Sequence, residues 1–168
     1  LAAPESVEVI HKGPVMATVR VSTRYRDSYF VQDITLQAAM PRVDFRAQLA
    51  WYERDSCLKV AFPTAVKDGE ATFEAPLGAV SRPADGAEVP AQRWIDTSNT
   101  DYGVSLLNDC RYAFDITDHC LRMTLVRGIP DLDPEADVGA HDLRYALYPH
   151  VQDWREGGTV RQGWRFNF

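Results

Sequence analysis

The clearest pattern in the chain is a period of two. Val43, Phe45, Ala47, Leu49 and Trp51 alternate with Asp44, Arg46 and Gln48. Successive side chains of a strand point to opposite faces, so this run predicts a strand with one buried face and one polar face. Leu58, Val60 and Phe62 repeat the pattern after a turn at 54–56, and Pro63 ends that strand or marks a sheet edge. Upstream, Val7 to Ile10 is a short apolar run closed by Gly13-Pro14. Val15, Ala17, Val19 and Val21 then alternate with Met16, Thr18, Arg20 and Ser22. A polar turn at 25–28 leads into a second strand over 29–38, which predicts a hairpin.

The same reading continues downstream. Residues 71–80 form one strand, and 81–90 form a loop marked by Pro83, Asp85-Gly86 and Pro90. Trp94 and Ile95 lead to a strand over 102–107. The runs 110–116 and 120–126 face each other across a turn at 117–119. Leu143, Tyr145 and Leu147 form another strand after the loop 130–141. A turn at 154–158 precedes a last strand carrying Val160, Trp164, Phe166 and Phe168. No amphipathic helix, internal repeat or low-complexity tract is legible. Roughly ten to twelve short strands with turns between them predict an all-β fold, a supersandwich-like antiparallel β-sandwich. The expectation is a single domain over residues 1–168, and a chain of this length buries roughly 70% of its unfolded surface.

Charge and cysteine usage narrow the function classes. Eighteen basic against 24 acidic residues give a net charge of −6, which argues against an electrostatic nucleic-acid binder. Cys57, Cys110 and Cys120 are few and odd in number, the usage of a reducing compartment such as the cytoplasm. In the predicted hairpin Cys110 lies opposite position 126, not Cys120, so a disulfide between them is not expected. His11, His119, His141 and His150 are scattered without metal-ligand spacing, so no zinc site is expected here. No Asn-x-Ser/Thr sequon, signal peptide or long apolar run occurs, so no membrane partner is expected. The chain begins at Leu1 without an initiator Met and ends on an alternating Phe-Asn-Phe, which reads as a fragment cut from a larger β domain.

An ordered set of short blocks adds a resemblance. The set runs through Val43-Asp44-Phe45-Arg46, Trp51-Tyr52-Glu53-Arg54 and Leu58-Lys59-Val60-Ala61-Phe62-Pro63. It continues through Arg82-Pro83, Pro90-Ala91-Gln92-Arg93-Trp94 and Gly103-Val104-Ser105-Leu106-Leu107-Asn108-Asp109. It closes with Leu121-Arg122, Asp133-Pro134-Glu135-Ala136-Asp137-Val138-Gly139-Ala140-His141 and Tyr145-Ala146-Leu147-Tyr148-Pro149-His150. In this order the blocks resemble the C-terminal β domain of glycoside hydrolase family 38 α-mannosidases, over nearly the whole chain. The resemblance departs at Cys110-Arg111-Tyr112-Ala113-Phe114, where a Gly-aromatic pair is commoner after the Tyr.

That resemblance implies a retaining α-mannosidase as parent, with an Asp nucleophile, a second carboxyl as acid and base, and a zinc ion that holds sugar hydroxyls. Nucleophile and zinc would lie in an N-terminal α/β catalytic domain that nothing here matches. This chain would then have no catalytic residue and no glycosidase activity of its own. Its partners would be that catalytic domain and the α-mannoside oligosaccharide, with self-association as a further expectation.

Several residues invite a role. Asp133, Glu135, Asp137 and His141 read as an acid/base cluster, an oxygen-ligand metal site or a solvated acidic loop. The resemblance brings this loop near the sugar site, so Asp137, Gly139 and His141 are expected as substrate-binding contacts at the pocket rim. Glycine there permits close backbone approach to a ligand. Arg93 and Trp94 offer a sugar platform or, for Trp94 as for Trp51, a core position. Asn108 and Asp109 read as pocket-facing residues or, more simply, as turn formers, and Trp154 and Trp164 as exposed where neighbouring strands are missing. The alternative function is a free-standing carbohydrate-binding β-sandwich. Such a module clusters exposed aromatics on one face, and no such cluster is legible in the sequence.

Overall fold

A computed structural model describes residues 3–128, 133 and 135–168. Among these, the first elements are β1 (Ser6–Lys12), β2 (Met16–Tyr25), β3 (Ser28–Gln37), β4 (Val43–Trp51) and β5 (Ser56–Pro63). They are followed by β6 (Glu70–Ala75), β7 (Gly78–Ser81), β8 (Val89–Pro90), β9 (Trp94–Ser98) and β10 (Tyr102–Asn108). The last are β11 (Ala113–Thr117), β12 (Cys120–Gly128), β13 (Gly139–Val151) and α1 (Thr159–Asn167). The fold is an all-β antiparallel sandwich, as the periodicity predicts. Among the described residues no helix is long and apolar enough to cross a membrane. The chain forms two compact units, residues 1–58 with 125–144, and residues 59–124 with 145–168.

In the first unit the strands follow the order β1-β2-β3-β4, with the start of β13 beside β4. β2 and β3 make the expected hairpin, paired from Met16↔Gln37 to Tyr25↔Ser28. In β4 the alternation holds: Phe45, Ala47, Leu49 and Trp51 are buried while Arg46 and Gln48 are exposed. Register aligns the sheet's two faces. Val9, Val19, Ile34 and Phe45 lie in one apolar row, whose exposure rises from 8% at Phe45 to 66% at Val9. On the other face Glu8, Arg20, Asp33 and Arg46 are successive cross-strand neighbours of alternating sign. Arg20 grips Asp33 through two 2.7 Å bonds, and Arg46 Nη2 reaches Asp142 at 2.6 Å. The hydrogen bonds from Arg20 and Arg46 hold the Asp33 and Asp142 carboxyls below the ordinary carboxylate range.

In the second unit the end of β13 is followed by β10, β9, β6 and β7. Residues 71–80, read as one strand, are two: β6 and β7 pair as a hairpin around Pro76 and Leu77. Residues 110–112 lie outside β11, because the Asn108 carboxamide accepts the N–H groups of Cys110 and Arg111 at 3.0 and 2.6 Å and turns the chain there. β11 and β12 pair as predicted, from Phe114↔Met123 to Thr117↔Cys120. All three cysteines are free. One face of the β13-β10-β9-β6-β7 strands meets Phe62 of β5, whose ring lies 6.2 Å from that of Tyr145.

The opposite face carries the main correction. Residues 159–167 form a helix, not the strand that Val160, Trp164, Phe166 and Phe168 suggest. Its buried positions are Thr159, Gln162, Gly163 and Phe166, spaced i, i+3, i+4 and i+7. Three of those four are not apolar, so hydrophobicity does not reveal the helix. The residues that do look apolar, Val160, Trp164 and Phe168, are its exposed side. Phe166 joins Trp94, Leu107, Ala146 and Tyr148 in a buried cluster, with Trp154 against it.

Candidate functional site

The expected rim residues sit in the first unit. Positions 129–132 and 134, including Pro130 and Pro134 of the loop, lie outside the described residues. From Asp133 onward the loop organises itself. The Asp133 carboxylate accepts the Glu135 N–H at 3.0 Å, its carbonyl accepts the Ala136 N–H, and the Glu135 carbonyl accepts the Val138 N–H. Glu135 turns outward to Arg54, at 2.7 Å. Asp137 Oδ2 accepts the backbone N–H of Arg127 at 2.6 Å, and this bond closes the base of the loop. Its left-handed backbone, φ 58°, is tolerated by aspartate better than by most residues.

The Asp137 carbonyl in turn accepts Nε2–H of His141 at 2.8 Å. That bond orients the imidazole. His141 lines a groove of about 550 Å³ with Tyr29, Gln48, Leu49 and Asp142. Gly139 has φ 130°, and open space surrounds the position a Cβ would take. The fold therefore brings Asp137, Gly139 and His141 into one short segment and sends Glu135 elsewhere. Among the described residues no three of His, Cys, Asp or Glu come together as a metal site. Of the described acidic side chains of this loop, Asp133 and Asp137 accept backbone N–H groups and Glu135 meets Arg54.

The second unit separates Arg93 from Trp94. Trp94 is 1% exposed and belongs to the core, as Trp51 does at 2%. Arg93 faces the other way, into a groove of about 930 Å³ beside β6. Glu74, 5% exposed, accepts the Arg93 backbone N–H at 2.6 Å and the guanidinium Nε and Nη2 at 3.0 and 2.5 Å. The guanidinium lies 3.8 Å from the centroid of the Trp164 ring. Exposed Tyr112 and Trp164 share this groove, an aromatic pair on one surface that the strand reading of 160–168 hides.

A buried polar network went unread in the sequence. Asp96 accepts hydrogen bonds from Ser98 at 2.5 Å and Ser105 at 2.7 Å, and pairs with His150 Nε2 at 2.8 Å. Ser105 also bonds the Thr159 hydroxyl at 2.7 Å, which ties the first turn of α1 to β10. Burial pushes the His150 imidazole down, but the Asp96 hydrogen bond and charge, with backbone carbonyls, leave it above the ordinary histidine value. Alternating Asp96 and Ser98 look water-facing. Only the helix above them makes them interior.

Known proteins resemble this chain. The family described as glycosyl hydrolases family 38 C-terminal domain matches residues 1–135. Alpha-mannosidase 2C1 of Mus musculus is 35% identical over 150 residues, 84% of this chain and 14% of that protein. The alpha-mannosidase of Saccharomyces cerevisiae is 34% identical over 140 residues, 78% of this chain and 13% of that protein. The chain thus spans about one seventh of the length of these curated relatives. An alpha-mannosidase structure from Enterococcus faecalis V583 superposes at TM-score 0.85 with 15% identity, over 95% of this chain and 23% of that one. That last likeness is one of fold.

Proposed function

We propose that this chain, which belongs to the glycosyl hydrolases family 38 C-terminal domain family, is the accessory β domain of a retaining α-mannosidase acting on α-mannoside oligosaccharides. It supports an N-terminal catalytic domain, which supplies the nucleophile, the acid/base carboxyl and the zinc ion. Its own contribution is a rim segment at Asp137, Gly139 and His141. The observation that carries this role is the Asp137–His141 hydrogen bond. It orients a half-buried imidazole along an open groove beside a glycine with free space around it. An oriented ring and an accessible backbone can hydrogen-bond sugar hydroxyls without taking part in bond cleavage. Three free cysteines support a reducing compartment.

The test uses the full-length parent and a p-nitrophenyl α-mannoside. His141→Ala and Asp137→Ala should each lower kcat/KM by about tenfold, mostly through KM, the first by removing a polar contact to substrate and the second by releasing the loop base that Asp137 Oδ2 closes on the Arg127 N–H. The 168-residue chain alone should show no hydrolysis. Unchanged kcat/KM in both folded variants would remove the rim role, and hydrolysis by the chain alone would overturn the accessory role.

A further inference from the structure

The geometry points to an oligosaccharide-binding groove in the second unit, built on Tyr112, Arg82, Gln92 and Arg93. It rests on the reading that the parent acts on α-mannosides. The groove's volume of about 930 Å³ suits a ligand of two or three sugar rings.

Its donors are set in advance. Glu74 holds Arg93 through the backbone N–H, Nε and Nη2, and Trp164 supports the guanidinium plane, so the side chain has one orientation. Nη1 is left to point at a ligand. Arg82 also lines the groove and makes a ring contact with Phe73 at 5.8 Å, with no ion pair among the described residues. Tyr112 is 58% exposed, and neither its ring nor its hydroxyl has a partner among the described residues.

A pyranose matches this set. Its C–H face packs on the Tyr112 ring, while its hydroxyl edge accepts from guanidinium N–H groups and exchanges hydrogen bonds with the Gln92 amide. An acidic peptide fits less well, because Glu74 already neutralises Arg93 and only Arg82 remains as net charge.

The experiment titrates α-linked mannotriose into the 168-residue chain and follows backbone amide NMR shifts, with an octaglutamate peptide as comparison. Shifts centred on Gln92, Arg93 and Tyr112 are expected, with a Kd of about 1 mM for an open polar groove. Tyr112→Ala and Arg82→Gln, both at the surface, should each weaken binding about tenfold without lowering the unfolding temperature. No shifts at these residues, shifts with the peptide alone, or unchanged affinity in folded Tyr112→Ala would each overturn the groove. The readout is binding to this chain. The rim role is read by hydrolysis in the parent, so either can fail without the other.

Discussion

A Cβ on Gly157 would stand 2.3 Å from Nδ1 of His150. Gly103 closes in as well, where a Cβ would meet His150 Cε1 at 2.5 Å and Ser98 Cβ at 2.3 Å. The imidazole is thus seated against two glycines, with Asp96 at its Nε2. Gly103 is there for close approach and not for a special φ. Alanine at either position forces the ring off Asp96, and the expected loss is about 2 kcal/mol, the ordinary size of an overpacked core site. Chemical denaturation of Gly157→Ala and Gly103→Ala checks it. A stability equal to wild type in both would show that the seat is not tight.

The same pair sets a pH dependence. His150 is held above its ordinary value, so the stability it contributes is full below about pH 6.5 and is lost as pH rises through the folded value. Asp96, the Val151 carbonyl and the Tyr148 ring are its neighbours. The carboxylates run the other way. Asp33 and Asp142 are held low, chiefly by hydrogen bonds from Arg20 and Arg46 respectively. Their contribution is present above about pH 4 and fades as pH falls through the lowered values. Melting temperature should therefore decline on both limbs. In His150→Gln the neutral-to-alkaline limb should flatten while the acid limb keeps its slope, whatever the variant's overall height.

Glu74 and Arg93 make a one-sided test. Glu74→Gln keeps the shape but removes the buried charge that receives three Arg93 donors. The cost should be about 2 kcal/mol, toward the low end for breaking a buried pair because the Arg93 side chain remains partly in water. The Trp164 environment should change with it, since the guanidinium over its ring loses its anchor. Denaturation and tryptophan fluorescence read the two effects. An unaltered Trp164 signal would mean that Glu74 does not orient Arg93.

The helix offers two opposed substitutions. Phe166→Ala removes the apolar residue that α1 contributes to the Trp94 cluster, with an expected loss of about 3 kcal/mol. Gly163→Ala would normally gain about 1 kcal/mol of helix propensity. Here the new Cβ would lie 3.0 Å from Trp94 Cδ1, so the gain should disappear or reverse. Thermal unfolding of the two variants separates packing from propensity. A more stable Gly163→Ala would mean that α1 can move away from Trp94.

Local patterning alone determined the strand identity of β2 to β5, the burial of Phe45, Ala47, Leu49 and Trp51, and the Asn108 turn. In each case the signal is a side-chain period of two, or a carboxamide that bonds the backbone two and three residues on, and neither needs distant residues. The ordered blocks from Val43 to His150 likewise carried the family. The second unit's helical face was decided by tertiary structure. Thr159 and Gly163 are buried because Ser105 supplies a hydroxyl partner and Trp94 a ring surface of matching shape. A sequence pattern ranks residues by affinity for water, so it reads such positions as exposed. Only three-dimensional pairing of polar groups removes their desolvation cost and lets them become interior.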